Sequence, residues 1–490
     1  MSQAPSIESS TADADTSLST CASGIHGRRS VKGPAASTLR PCDAEQAPPG
    51  QRRCEATLDL DGGEERFVAQ RGGCGRKARL RTSALAAALL ALGGVGCGAN
   101  AEQWYVDNSG SPPCSDAPSG GSQTQPWCTI GFAVRQVRAG DVVYVKNGIY
   151  REQVGISDRH GGANYITFRN YPGHAPVIRG EGVHSGRNRI SNSSFIRFVG
   201  LTITEFQQGL FVEQSNNILL QNLHVYNIGQ EAIRIRLNSS FVTIEHSVIH
   251  DTRRWRSNGE GVYIGTSSSQ QPSVPPYDNT HDVLVRNNTI YNTGDECIEA
   301  KEGTYNVVID GNTLHDCLLD PSIISPGWGA IEVMEHERYF RSNPNHVIKN
   351  NVIRMAKTGI GVHTGATVFN NVIYGQTGNY RGISIDNRDA DDYLRRVYHN
   401  TIDVPAARAV VVSGSARADI RNNIGPATAG NIPAQGTFFA GSAAGDYRLV
   451  AKSAPIDAGE DLTATVASDI AGISRTGSAP DLGAYEFTAD

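Results

Sequence analysis

The chain has 490 residues, with 44 Lys and Arg against 49 Asp and Glu and a formal net charge of −5. No long basic block interrupts it, so nothing suggests nucleic acid as a partner, and any anionic ligand would have to be met by local positive charge. A modest apolar content (39 %), 53 Gly and frequent Asn, Ser and Thr suit many short strands joined by tight turns, not a helix-rich core.

Residues 1–75 are rich in Ser, Ala, Gly and Pro, with scattered Cys and no lasting periodicity. They read as disordered, or as the product of a start assigned too early, with translation beginning near Val68. Residues 76–101 have the layout of a secretory signal peptide: a basic start (Arg76, Lys77, Arg79, Arg81), an apolar run from Ala84 to Leu92, and Ala99-Asn100-Ala101 as a cleavage site. That apolar run is too short to span a bilayer, and no later stretch is longer. "GGVGC" ends at Cys97 in the manner of a lipoprotein signal, although Gly94 stands where an aliphatic residue is usual. Export to the periplasm or the exterior is expected, with a lipid anchor at Cys97 as a variant of it. Beyond the signal only Cys114, Cys128, Cys297 and Cys317 remain. The first two flank a Ser/Gly/Pro/Gln loop and are expected to close it with a disulfide.

From residue 102 to 487 one domain is expected. Residues 102–150 read as an N-terminal cap with a short helix over Ile130–Val137, residues 151–430 as coils, and residues 431–487 as a C-terminal cap. The coils follow from a repeat: "FIRFVGLTI", "NILLQNLHV", "FVTIEHSVI", "DVLVRNNTI", "NVVIDGNTL", "NHVIKNNVI", "GATVFNNVI", "LRRVYHNTI" and "RADIRNNIG". Their seventh positions run Leu201, Leu223, Ser247, Asn288, Asn312, Asn351, Asn371, Asn400, Asn423, in steps of 20 to 41 residues. A basal step in the low twenties with alternating apolar residues is one coil of a parallel β-solenoid, three short strands per coil. The recurring Asn is expected to sit in a left-handed turn and to hydrogen-bond along the axis. A monomer is expected. Cys297 lies nine residues after its anchor and Cys317 five, and four extended residues span roughly 13 Å, beyond disulfide reach; that pair stays open.

The two longest steps carry insertions. "RRWRSN" and "TSSSQQPSVPPYDN" flank the strand "GVYIG", and "LLDPSIISPGW" and "EHERYFRSNP" flank "AIEVM". Loops rising on both sides of one sheet make a groove. The strands there stack as "GLFVE", "AIRIR", "GVYIG", "CIEAK", "AIEVM", "GIGVH", "GISID" and "AVVVS". Their second and fourth positions are apolar, so the third and fifth face outward. The third-position ladder reads Phe211, Arg234, Tyr263, Glu299, Glu332, Gly361, Ser384, Val411; the fifth reads Glu213, Arg236, Gly265, Lys301, Met334, His363, Asp386, Ser413. Glu231, Glu260 and Glu296 form a further column, and Asp295 and Glu302 are left as surface charge. Outward rungs are charged on many solenoids for solubility alone. Here like charges stack at Glu231/Glu260/Glu296 and Glu299/Glu332, which is destabilising unless a cation or proton sits between them.

A looped groove on an exported solenoid suits a long polymer. Arg234 and Arg236 would pair with the carboxylates or sulfates of an acidic sugar chain, with Glu299, Glu332 and Asp386 as further substrate contacts. Glu260, Glu296 and Glu299 are the candidate ligands for Ca²⁺, a hard ion that takes oxygen donors. Lys301 is the candidate base for removing a uronate C5 proton, and Tyr263, His363 and Arg236 are candidates for protonating the leaving oxygen. His363 has a second reading as an ordinary exposed surface residue.

The stretch "ECIEAKEGTYNVVIDGNT", 296–313, resembles the core of the chondroitinase B and alginate lyase family of right-handed parallel β-helix proteins. The resemblance implies a metal-binding role for Glu296 and a base role for Lys301, five positions on, followed by Asn306 and Asn312-Thr313. Where the family carries a catalytic arginine one coil later, this chain has Met334, with His336 just beyond. "WYVDNSG…PWCTIGFAV…GDVVYVKNGIYRE" is similar to the opening of many secreted β-helix polysaccharide lyases. Three other readings compete: a glycosidase using Glu299 and Glu332, a uronate C5-epimerase, and a non-catalytic glycan-binding solenoid.

Overall fold

The structure, a computed structural model of the chain, describes residues 58–61, 64–67 and 101–489 apart from 256–257, 272–276, 323–326, 336–342, 355, 377, 388–390 and 477–478. The chain divides into two units, Met1–Gly94 and Val95–Asp490. In the first, Leu58–Asp61 pairs antiparallel with Glu64–Phe67. The rest of the low-complexity stretch, the signal segment up to Asn100 and Cys97 lie outside the described residues.

The second unit is a right-handed parallel β-helix of three sheets. The first has twelve strands, from Gln103–Val106 to Arg417–Arg421; the second has twelve, from Ile149–Tyr150 to Ile432–Pro433; the third has ten, from Gly155–Ser157 to Val410–Val412. Each coil visits the three sheets in turn, and every pairing between coils is parallel. The period-two pattern explains the core. In the first sheet Ile196, Phe198, Ile218, Leu220, Val242, Ile244, Val283 and Val285 are all buried, and the residue between each pair points away. Each such aliphatic side chain contributes about 1.5–3 kcal/mol by leaving water. The strands Gln103–Val106 and Val142–Val145 already pair in the first sheet, so the coil stack begins inside the stretch expected to be an N-terminal cap. The helix there runs Ile130–Gln136, with the Thr129 hydroxyl accepting the Phe132 N–H at 3.1 Å.

The recurring asparagines form one buried ladder. Nδ2 of Asn288 donates to Oδ1 of Asn312 at 3.0 Å, and the same bond repeats through Asn351, Asn371, Asn400, Asn423 and Asn431. Each Oδ1 also accepts the backbone N–H of the preceding rung. The left-handed backbone is one residue earlier than expected: φ is 54° at Asn287, 58° at Asn350, 54° at Asn370 and 59° at Asn422, while the ladder residues are not left-handed. The turn therefore needs two residues of different kinds, one that tolerates positive φ and one whose amide pairs inward. Asn351→Ala removes the Oδ1 that accepts both the backbone and a side-chain N–H of Asn312, and each buried group left unpartnered costs about 1–3 kcal/mol. A lowered urea midpoint by circular dichroism is the expected result, and an unchanged midpoint would remove the ladder's role in stability.

Both disulfides are present: Cys114–Cys128 with Cα atoms 5.0 Å apart, and Cys297–Cys317 at 5.5 Å. The extended-strand distance did not apply to the second pair because the chain turns a corner between the anchor and Cys297. Asn292 is left-handed with φ 53°, and residues 316–320 run alongside 292–295, bonding Thr293 N–H to Asp316 O and Leu318 N–H to Asp295 O.

Candidate functional site

The third sheet carries the expected ladders in register. Phe211 pairs with Arg234, Arg234 with Tyr263, Tyr263 with Glu299, Glu299 with Glu332, Glu332 with Gly361, and Gly361 with Ser384. The fifth-position ladder continues past the strand ends through bonds such as Lys301 N–H to Ile264 O and His363 N–H to Val333 O. The glutamate column is also real, since Ala232 N–H bonds Glu260 O and Gly261 N–H bonds Glu296 O.

These rungs point away from the core, but most of them are not open to solvent. Arg234, Tyr263, Glu299, Glu332, Glu231, Glu260, Glu296 and His363 are all buried. Gln270, from an inserted loop, lies on Arg234 at 2.9 Å. Solvent reaches the fifth-position ladder instead: side chains are 13 % exposed at Lys301, 21 % at Arg236 and 23 % at Asp386.

The buried charges sort into pairs. Arg234 binds Glu231 at 3.0 Å, and Lys301 Nζ donates to Glu299 Oε1 at 2.6 Å. Glu213 lies between Arg189 at 2.5 Å and Arg236 at 2.7 Å. His363 is bracketed by two carboxylates, Glu332 on Nε2 and Asp386 on Nδ1. Glu332 also accepts the Gly329 N–H at 2.7 Å, and a Cβ at Gly361 would displace the Glu332 carboxylate from this position. Among the described residues no ion pair reaches Glu260 or Glu296. One oxygen from each of Glu260, Glu296 and Glu299 lies within 4.8 Å of the others, and Glu260 Oε2 is buried with no hydrogen-bond partner.

Burial, then the charge of Glu299 and of neighbouring carboxylates, pushes the Glu260 and Glu296 carboxyls well above their ordinary range. Burial also raises Glu299, against the pull of Lys301. Burial alone would lower the Lys301 ammonium, but Glu299, Tyr263 and Glu302 outweigh it and hold it above its ordinary value. Burial raises the Tyr263 phenol, so it keeps its proton. Three oxygen donors, two of them unpaired and one with a free lone-pair face, fit a hard divalent cation.

Several expectations change. The structure brings Lys301, Tyr263, Glu260, Glu296 and Glu299 together. Arg234 is buried on Glu231 and Gln270, Glu299 is bonded to Lys301, and Glu332 is bonded to the His363 ring. His363 is not an exposed surface residue, and both its ring nitrogens already face carboxylates. It also stands two coils from Lys301, roughly 10 Å at the inter-strand spacing, too far to serve the same bond. Glu302 is buried with one oxygen unpartnered, and Asp295 is half-buried, so neither is plain surface charge. His336 lies outside the described residues. Arg187 and Arg189 escaped notice, although "GRNRIS" aligns with "GLFVE": Arg189 pairs with Phe211. Their strand has Asn188 at an inward position where an apolar residue was required; it is buried, with Oδ1 accepting the Val154 N–H at 2.9 Å.

Residues 137–274 match the family model described as "Right handed beta helix region". Over 132 residues the chain is 29 % identical to the uncharacterized protein YwoF of Bacillus subtilis (strain 168); the match spans 24 % of this chain and 28 % of that one. Among solved structures, pectate lyase Pel9A is similar with a TM-score of 0.55 at 17 % identity, over 80 % of this chain and 97 % of that chain. The alginate lyase from Paenibacillus sp. str. FPU-7 gives 0.48 at 16 %, over 62 % and 96 %. At these identities the likeness is one of fold.

Proposed function

We propose that this chain is a secreted polysaccharide-active enzyme, a lyase that cleaves uronic-acid-containing polysaccharide of the alginate, pectate or glycosaminoglycan type by β-elimination. Lys301 is its base, and Glu260, Glu296 and Glu299 hold Ca²⁺. The observation that carries this reading is Lys301 itself: a solvent-reached amine bonded to one member of a trio of buried carboxylates whose other two members have no ion pair among the described residues. Two disulfides and the signal-like segment support export.

Lys301, as the neutral amine, takes the C5 proton of the uronate. The C5–H electrons form the C4–C5 double bond, the C4–O4 bond breaks, and O4 leaves with a proton. Tyr263 is the donor for that proton: its phenol stays protonated, it stands one coil from Lys301, and its ring centre is 5.5 Å from Lys301 Nζ. Arg236, fixed on Glu213, serves binding and not proton transfer. Bound Ca²⁺ would make the C5 proton of a uronate more acidic and compete with Lys301 for Glu299.

A retaining glycosidase needs two carboxylates free to face the sugar, whereas Glu299 is bonded to Lys301 and Glu332 to the His363 ring and the Gly329 N–H. Incubation of the full chain with alginate, pectate and glycosaminoglycans, with and without chelator, tests the reading. New ultraviolet absorbance of an unsaturated uronide supports a lyase. New reducing ends without that absorbance indicate a hydrolase, inverted C5 centres without cleavage an epimerase, and retention without any product a binding protein; each of these overturns it.

A further inference from the structure

We propose that Arg187, Arg189 and Arg236 form an anion subsite that receives a uronate carboxylate of the polymer on the same sheet as Lys301, with Arg236 two coils and Arg187 and Arg189 four coils from it. The proposal rests on the acidic-polysaccharide reading but needs neither the metal nor the elimination chemistry.

The three guanidiniums gather around one ring and one carboxylate. Cζ of Arg187 lies 4.8 Å from the centre of the Phe211 ring and Cζ of Arg236 lies 5.4 Å from it. Arg189 pairs with Phe211 across the strands, and Arg187, two residues earlier, projects from the same face. Glu213 is the one carboxylate within the group, shared by Arg189 and Arg236. Arg187 has no carboxylate partner among the described residues; its Nη1 donates to Gln208 Oε1 at 2.8 Å. Neighbouring Arg234 does not alter the balance, because Glu231 neutralises it.

The patch therefore holds more positive charge than its protein partners cancel, and like charges gathered around one carboxylate repel. The Arg187 guanidinium feels this: burial and then Arg189 and Arg236 hold it below its ordinary value, against Glu213 and Glu231. An incoming anion relieves the repulsion. Solvent reaches the patch, since the Arg189 side chain is 44 % exposed. Planar forks on rigid strands suit a carboxylate, which accepts two parallel N–H bonds. The third sheet is thus polarised along its axis. Its N-terminal coils offer cations, and the carboxylate trio follows on later coils, so a polyanion lying along the axis meets guanidiniums before it meets the base.

Affinity electrophoresis of the full chain, with chelator present, through gels holding alginate, polygalacturonate, dextran sulfate or neutral dextran tests this. Arg187→Gln and Arg189→Gln are each expected to weaken retention by alginate and polygalacturonate on the order of tenfold, with no change in neutral dextran. Arg286→Gln, the same charge loss on the first sheet, is the control and should match the wild type. In turnover, the Arg variants should raise KM more than they lower kcat. Unchanged retention in a folded Arg187→Gln/Arg189→Gln protein overturns the subsite. If that protein does not fold, Arg189→Gln alone decides, because its side chain is the most exposed of the three at 44 %. Retention by dextran sulfate but by neither uronate polymer overturns the carboxylate assignment. The two proposals fail separately: loss of retention in the Arg variants of a chain that never yields unsaturated uronide keeps the subsite and removes the lyase. Turnover that depends on Lys301 with retention indifferent to the arginines does the reverse.

Discussion

Lys301→Ala is expected to cut release of unsaturated uronide by about 10²–10⁴-fold, the range for losing a positioned general base. Polymer retention should survive the change, because the guanidinium patch lies two to four coils away. Lys301→Arg should not restore the rate, since a guanidinium stays protonated throughout the accessible range. The pH profile carries a sharper expectation. Glu299 holds the Lys301 ammonium above its ordinary value, so the metal-free protein has almost no neutral amine near pH 7. The rate should therefore climb with pH, and chelator should move that climb to higher pH. Tyr263→Phe, which removes the hydroxyl and keeps the ring, should reduce kcat about 10²-fold with less effect on KM. Full lyase activity in Lys301→Ala would falsify the mechanism.

The second large effect is expected in stability. Glu260 and Glu296 have folded pKa values raised well above their ordinary carboxyl values by burial and mutual repulsion. The folded protein therefore binds more protons than the unfolded chain above the ordinary carboxyl pKa, and stability falls as pH rises through that interval. The contribution is fully present below the unfolded pKa and lost as pH passes the raised folded values. Ca²⁺ binds the ionised carboxylates and should reverse the loss, giving a thermal midpoint that rises with its concentration at neutral pH. Glu260→Gln/Glu296→Gln should flatten the pH trend, raise the metal-free midpoint at neutral pH and abolish the response to Ca²⁺. Thermal unfolding followed by circular dichroism across pH, with Ca²⁺ and with chelator, checks all three. A wild-type midpoint indifferent to Ca²⁺ would rule out the metal site, whatever the activity.

The ladders were legible because period-two alternation and a nearly constant coil length are local properties of sequence. Once Leu210, Ile233, Val262, Ile298 and Ile331 face inward, their neighbours must face outward, and the rungs from Phe211 to Val411 pair as that parity requires. The asparagine column was legible as a column but not in its cause, because two adjacent residues share one corner and only backbone angles assign the left-handed one. Arg187 and Arg189 were hidden by the same parity rule, which demanded an apolar residue where Asn188 is buried and hydrogen-bonded.

Register by itself thus determined which side chains share a face, including Lys301 beside the glutamates. The tertiary structure decided what those neighbours do to one another. Ion pairing is a choice among groups that lie close in space, whether two residues apart in sequence, as Lys301 and Glu299 are, or 31, as His363 and Glu332 are. Burial depends on inserted loops that carry no repeat, and the Cys297–Cys317 bond depends on a corner that a straight-strand estimate cannot represent. These decisions set Glu299 on Lys301, buried His363 between two carboxylates and, among the described residues, left Glu260 and Glu296 without an ion pair. Their common physical reason is that charge and solvation act through space, whereas alternation acts along the chain.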